Sequence, residues 1–154
     1  MEPVKKREPR LEIHLGYWLR RVSNHVSGAF ARALQTKHTS VAEWVMLCHF
    51  EERPGITPGE LAEAINLTRG AVSKVIDKLE AKNWITRSIN PNDSRIQLLR
   101  LTPAGSRNLP QLTKIADQND KEFFAGLKTD ERAILQRLLG KLVHCHQITS
   151  VPIE

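Results

Sequence analysis

A chain of 154 residues with 40% hydrophobic and 26% charged residues can bury a core as one folding unit and lies far from the composition of disordered segments. Its two cysteines, Cys48 and Cys145, lack CxxC spacing and exclude a disulfide framework, and no apolar run approaches the roughly 18 residues of a membrane span, so a cytoplasmic protein with no membrane partner is expected. The formal charge of +6 makes a polyanion the first partner to consider, and residues 66–100 carry seven basic side chains against three acidic ones, which concentrates most of that surplus in under a quarter of the chain.

In chain order, a short basic arm ends at Pro9 and Arg10. Apolar residues then recur at Leu11, Leu15, Trp18, Leu19, Val22, Val26, Ala29, Phe30 and Ala33, a helical period that predicts one helix over residues 11–36. Ser40 and Glu43 form a capping box that opens a second helix, with Trp44, Val45, Leu47 and Cys48 on its buried side, and Pro54-Gly55 ends it. Thr57, Pro58 and Glu60 mark the start of a third helix as N-cap, first helical residue and capping-box partner. After the turn Asn66-Leu67-Thr68, a fourth helix places Val72, Val75, Ile76 and Leu79 on one face, its centre near Val72 and Val75. Two short helices joined in this way predict a helix-turn-helix.

From Trp84 the pattern changes to β-prone runs over 84–89 and 95–101, separated by the turn-forming cluster Asn90-Pro91-Asn92-Asp93-Ser94, which predicts a hairpin. Thr102-Pro103 opens a helix to about Phe124, and Thr129-Asp130-Glu131 opens a last one to about Gln147. The expected fold is mainly α: about six helices plus a β-hairpin wing, in a single domain over residues 1–154.

On the fourth helix, 100° per residue carries Gly70, Ser73, Lys74 and Asp77 to the side away from the apolar face, flanked by Arg69 and Lys78. A helix that presents a small residue, a hydroxyl and cations fits a major groove, where base edges are read by hydroxyls and by Lys or Arg. A solvated basic face would look the same from this helix alone. The hairpin tips the balance, because a cation at its tip, Arg95 beside Asn92 and Ser94, suits the narrow and electronegative minor groove. The candidate DNA contacts are Thr68, Arg69, Gly70, Ser73, Lys74, Lys78, Arg87, Asn92, Ser94 and Arg95.

Residues 57–105 resemble the DNA-binding core of the MarR (multiple antibiotic resistance regulator) family. Asp93-Ser94-Arg95 followed by Leu101-Thr102-Pro103-Ala104-Gly105 is similar to the family's DxR…LTxxG wing signature, and Leu79-Glu80-Ala81-Lys82-Asn83-Trp84-Ile85 resembles the segment between reader helix and wing. Asn83 stands where glycine is usual, and asparagine tolerates the left-handed conformation of a helix C-terminus. The resemblance implies a homodimer that interlocks through helices 11–36 and 103–148, with a winged helix-turn-helix lobe over 40–101. It also implies a repressor bound to a pseudopalindromic operator and released by a small aromatic or anionic effector, in a pocket for which Trp18, Arg21 and Trp44 are candidate contacts. The apolar stripes of the first and last helices support dimerisation independently, since they exceed what one small lobe can cover.

No metal or cofactor is expected. His144 and His146 point about 200° apart on a helix and cannot share an ion, and Cys48 reads as a small buried hydrophobe. The alternatives are an effector-independent architectural DNA-binding protein and a redox- or metal-sensing regulator. An enzyme is disfavoured, because the sequence contains no GxSxG, HExxH, Walker A or GxGxxG motif.

Overall fold

The structure, a computed structural model, describes residues 10–149 and residue 153; the basic N-terminal arm read from the sequence lies outside the described residues. Six α-helices and one two-stranded sheet follow in the order α1 (Leu15–Gln35), α2 (Val41–Glu52), α3 (Pro58–Ala64), α4 (Arg69–Ala81), β1 (Ile85–Asn90), β2 (Asp93–Leu101), α5 (Pro103–Phe123) and α6 (Thr129–Cys145). Among the described residues, no helix is long and apolar enough to cross a membrane.

Hydroxyl caps set four of the helix starts. The side chains of Ser40, Thr57, Thr68 and Thr102 each accept from the backbone N–H three residues on, and Glu43 and Glu60 complete the two expected capping boxes. At the other ends, His38, Asn66 and Asn83 take left-handed φ values of 52°, 53° and 57°. Asn83 therefore does adopt the left-handed conformation expected of it at this helix C-terminus.

The core lies inside the helix-turn-helix lobe. Met46, Leu47 and Phe50 of α2, Leu61 of α3, Val72, Ile76 and Leu79 of α4, and Ile85 and Leu99 of the hairpin are all buried, joined by Leu34 from α1 and Leu109 and Leu112 from α5. The hairpin is fixed to this core by a backbone bridge ahead of α3, where Leu99 N–H donates to Ile56 O at 3.0 Å and Gly55 N–H donates to Leu99 O at 2.9 Å.

Gly105 lets α5 begin against the hairpin. A Cβ there would lie 2.0 Å from the Trp84 carbonyl oxygen, a backbone atom with no freedom to retreat. Gly105→Ala is therefore expected to destabilise the fold by about 3 kcal/mol, the upper part of the range for overpacking. The check is the denaturant midpoint, which should fall while the slope of the transition stays that of the wild type.

Three expectations about elements need correction. The helix expected from residue 11 is interrupted: Arg10–Ile13 form a 3-10 turn and α1 begins only at Leu15, after His14 in an extended conformation. No side-chain cap favours an earlier start, and the Trp18 indole donates to Glu12 O at 2.8 Å, which folds the turn back onto the helix. The buried face of α4 is Val72, Ile76 and Leu79, with Val75 only half-buried at its margin.

The hairpin loop is also tighter than expected. Asn90 pairs with Asp93, leaving only Pro91 and Asn92 in the turn, and the next pair is Ile89 with Gln97, so Ser94, Arg95 and Ile96 have no partner on β1. Side chains tether this tip: Asn90 Oδ1 accepts from Asn92 N–H at 2.9 Å, and Asp93 Oδ1 accepts from Arg95 N–H at 3.0 Å.

Candidate nucleic-acid interface

The outward side of α4 is as the helical period requires. Arg69, Gly70, Ser73, Lys74 and Lys78 are all exposed, and among the described residues none of the three cations makes an ion pair. Thr68, also a candidate contact, caps the helix, its Oγ1 accepting from Ala71 N–H at 3.2 Å, so it fixes the end from which the other side chains project.

The two acidic residues on this helix are both engaged by one cation. Arg87 of β1 donates to Asp77 Oδ1 and, at 2.9 Å, to Glu80 Oε2. Arg87, also a candidate contact, thereby ties the wing to α4, with its side chain 26% exposed. The effect on the surface is electrostatic: two carboxylates that would repel phosphate are paired, while Arg69, Lys74 and Lys78 remain available.

The wing projects Arg95 beside this helix. The three residues without a partner on β1 bulge at its tip, and bulges of this kind re-aim a side chain. Asn92, Ser94 and Arg95 are all exposed there. Arg95 also lines a cleft of about 400 Å³ with Arg69, Thr57 and Gly59, so a cation of the wing and a cation of α4 face one opening. The sequence-level set is thus brought together, with Arg87 engaged in the tie between β1 and α4.

The effector candidates are not. Trp18 and Arg21 adjoin on α1, the guanidinium 5.3 Å from the Trp18 ring centroid and 5.5 Å from that of Tyr17, with Glu12 at 4.0 Å. Trp44 instead packs edge-to-face on Phe30 at 5.0 Å. Phe30 is twelve residues beyond Trp18 on α1, or about 18 Å along the axis, so the three do not form one pocket within a protomer. The Trp44 indole N–H is buried and has no hydrogen-bond partner among the described residues. Cys48 is half-buried against the core, and burial, with Glu52 and Glu51 nearby, pushes its thiol up to about 11, which keeps it protonated and poorly nucleophilic.

Sequence reasoning missed a second tie. Lys82 Nζ donates to Glu43 Oε1 at 2.6 Å and to His38 O at 2.6 Å, while Glu43 Oε2 accepts from Ser40 N–H at 2.7 Å. The capping box showed only the local half of this arrangement, because its partner lies 39 residues away. Burial alone would push the Glu43 carboxyl up, but the hydrogen bonds from Lys82 and Ser40 outweigh it and hold the group below the ordinary glutamate value of 4.5. A carboxyl whose folded-state value is lowered contributes stability above the unfolded value and loses it as pH falls through the folded one. Glu43→Gln is accordingly expected to lower the thermal midpoint at neutral pH and to flatten its decline between about pH 5 and about pH 3. Melting curves of both proteins across that interval supply the check; parallel declines would contradict it.

Residues 39–96, which span the helix-turn-helix and most of the wing, match the family model of the MarR family. The multiple antibiotic resistance protein MarR of Escherichia coli is 30% identical over 132 residues, covering 85% of this chain and 92% of that protein. The chain belongs to the MarR family. Its fold is that of solved family members. A cysteine-to-serine variant of Escherichia coli MarR in complex with operator DNA superposes with a TM-score of 0.75 at 29% identity, covering 89% of this chain and 99% of that one. Bordetella bronchiseptica BpsR, solved in a study of how 6-hydroxynicotinic acid regulates its DNA binding, superposes with a TM-score of 0.75 at 25% identity over 88% of this chain and 97% of that one. Six helices with a two-stranded wing are thus the architecture of MarR winged-helix regulators, and the helix-turn-helix read from the sequence is its centre.

Proposed function

We propose that this MarR-family chain is a homodimeric transcriptional repressor of the cytoplasm, which binds a pseudopalindromic operator and is released by a small aromatic or anionic ligand. The observation that carries the DNA reading is the pairing of an exposed, cationic α4 face, whose own carboxylates are engaged by Arg87, with a wing tip that extends Arg95 beside it. Helix α4 would enter the major groove with Ser73 and Lys74 toward base edges, α3 would support it, and Arg95 would enter the adjoining minor groove. The complex of Escherichia coli MarR with operator DNA supports that reading.

Dimerisation is supported by the terminal helices. No residue of α6 is buried, and Ile134, Leu138, Leu139, Leu142 and Val143 remain 39–48% exposed along it, while on α1 Leu15, Trp18, Leu19 and Val22 are exposed as well. Such apolar stripes need a partner. The helices within 11–36 and 103–148 would be completed by a second copy, and the lobe 40–101 would be carried outside them.

An effector of aromatic-acid type is supported by the 6-hydroxynicotinic acid reported for BpsR and by the Arg21 cation beside Tyr17 and Trp18. With Trp44 far from this cluster in one protomer, a pocket using all three would need the partner subunit to bring them together. The deciding experiment is selection of duplexes from a random library, with and without a panel of aromatic acids. The expected product is an inverted repeat with half-sites about one helical turn apart, released by at least one acid. No enrichment above bulk DNA would remove the DNA reading, and enrichment insensitive to every acid would remove the effector.

A further inference from the structure

We propose that the Glu43–Lys82 pair is a positioning device for DNA reading, one that pins the C-terminal end of α4 to the corner where α1 turns into α2. The inference rests on the DNA-binding role of α4 above. Lys82 is the C-cap of α4, and its ammonium meets three things that belong to other parts of the fold: Glu43 in the first turn of α2, the carbonyl of His38 just past α1, and the Trp84 ring, whose centroid lies 4.9 Å away. Glu43 is only 4% exposed and spends its other oxygen on Ser40. One lysine thereby joins the long-helix frame, the second helix and the base of the wing to the end of the reader.

Stability alone does not account for such a pair. A buried ion pair is commonly no more stabilising than apolar side chains of the same volume, whereas it demands one particular geometry. The geometry has something to constrain here. A surface cleft of about 410 Å³, lined by Gln35, His38, Ser40, Glu43, Lys78 and Lys82, lies beside this tie between the end of α4 and the α1–α2 corner. Lys74 stands eight residues up the helix from Lys82, about 12 Å along the axis. A tilt of about 10° about the pinned end would move it about 2 Å, enough to break a hydrogen bond to a base. The tie is thus placed where a change in the long helices would be transmitted to the residues that read DNA.

The test uses the whole chain and a duplex enriched from a random library by the wild type, with an unrelated duplex of equal length as the non-specific probe. Glu43→Gln keeps an acceptor for the capping box but removes the ionic tie. Positioning predicts that it weakens binding to the enriched duplex roughly 2- to 30-fold, the range for residues that couple sites without touching ligand, while non-specific binding changes by less than about twofold. A purely electrostatic role predicts the opposite sign, since the variant loses a negative charge, and higher affinity for both duplexes would overturn the proposal. Glu43→Met/Lys82→Met covers the case in which the single variant does not fold, because a matched apolar pair restores packing without the directed contacts. It is expected to fold and dimerise yet retain the loss of specific affinity; wild-type affinity in this variant would also overturn the proposal. Should the wild type itself enrich no duplex, the DNA reading fails rather than the positioning role.

Discussion

Leu138→Glu/Leu142→Glu is expected to abolish the dimer and to reduce operator affinity by about two orders of magnitude or more, the avidity lost when two linked sites no longer act together. Leu138 and Leu142 lie one turn apart on α6, each 45% exposed within the protomer. Between α5 and α6 the lone protomer leaves a groove of about 540 Å³, lined by Phe124, Leu135, Leu139, Gly140 and Val143. Its floor is apolar, and α6 is held to α5 chiefly at their junction, where Arg132 Nε donates to Phe124 O at 3.0 Å. Two carboxylates on the free stripe would have to be buried without partners for a second copy to dock, a cost of several kcal/mol for each ion. Sedimentation of wild type and variant at micromolar concentration gives the result directly. A variant that remains dimeric would place the interface elsewhere.

Operator binding by the wild type is expected to fall by about 10³ to about 10⁵ between 50 and 200 mM salt, as for a protein that makes 6–10 phosphate contacts. A flat dependence would contradict an interface built on Arg69, Lys74, Lys78 and Arg95. Single variants should then separate reader from arm. Ser73→Ala and Lys74→Ala remove the groups proposed to face base edges, so each should flatten preference at particular half-site positions, at about 1–3 kcal/mol for a good contact. Arg95→Ala should weaken binding to all sites that share a core and change preference only in the flanking A·T pairs, because the minor groove offers a degenerate pattern and a strong potential. Binding profiles position by position, at one fixed salt concentration, distinguish these outcomes. If Arg95→Ala altered core preference while the helix variants lowered affinity uniformly, the two parts would have exchanged roles.

The parts of this interface that were legible in the sequence are those encoded within a few residues. Ser40, Thr57 and Thr102 announce helix starts because a hydroxyl three residues before an amide is a complete local instruction, and the period of Val72, Ile76 and Leu79 gives the orientation of α4 to within one residue. Asn83 was readable for the same reason: its backbone preference is its own. What could not be read depends on residues brought together by folding. Arg87 looks like any other cation until β1 is laid along α4 beside Asp77 and Glu80. The break at His14 reflects a tryptophan four residues later reaching back to a backbone carbonyl, and the extruded wing tip reflects a register of pairing that turn propensities alone leave open. The distance between Trp18 and Trp44 follows from where along α1 the second helix packs, at Phe30 and not near Trp18, a tertiary choice with no local signature.

The unburied last helix also bears on heredity. If a second copy covers α6, as proposed, and a lone subunit has no stable fold, the composition of each dimer is set when its subunits pair. In a cell that makes wild-type chains alongside chains with a ruined reader helix and sound terminal helices, most dimers would contain at least one blind lobe. Mutations in α4 should therefore be dominant over the wild-type allele, whereas mutations that spoil α6 remove their own product from the pool and should be recessive.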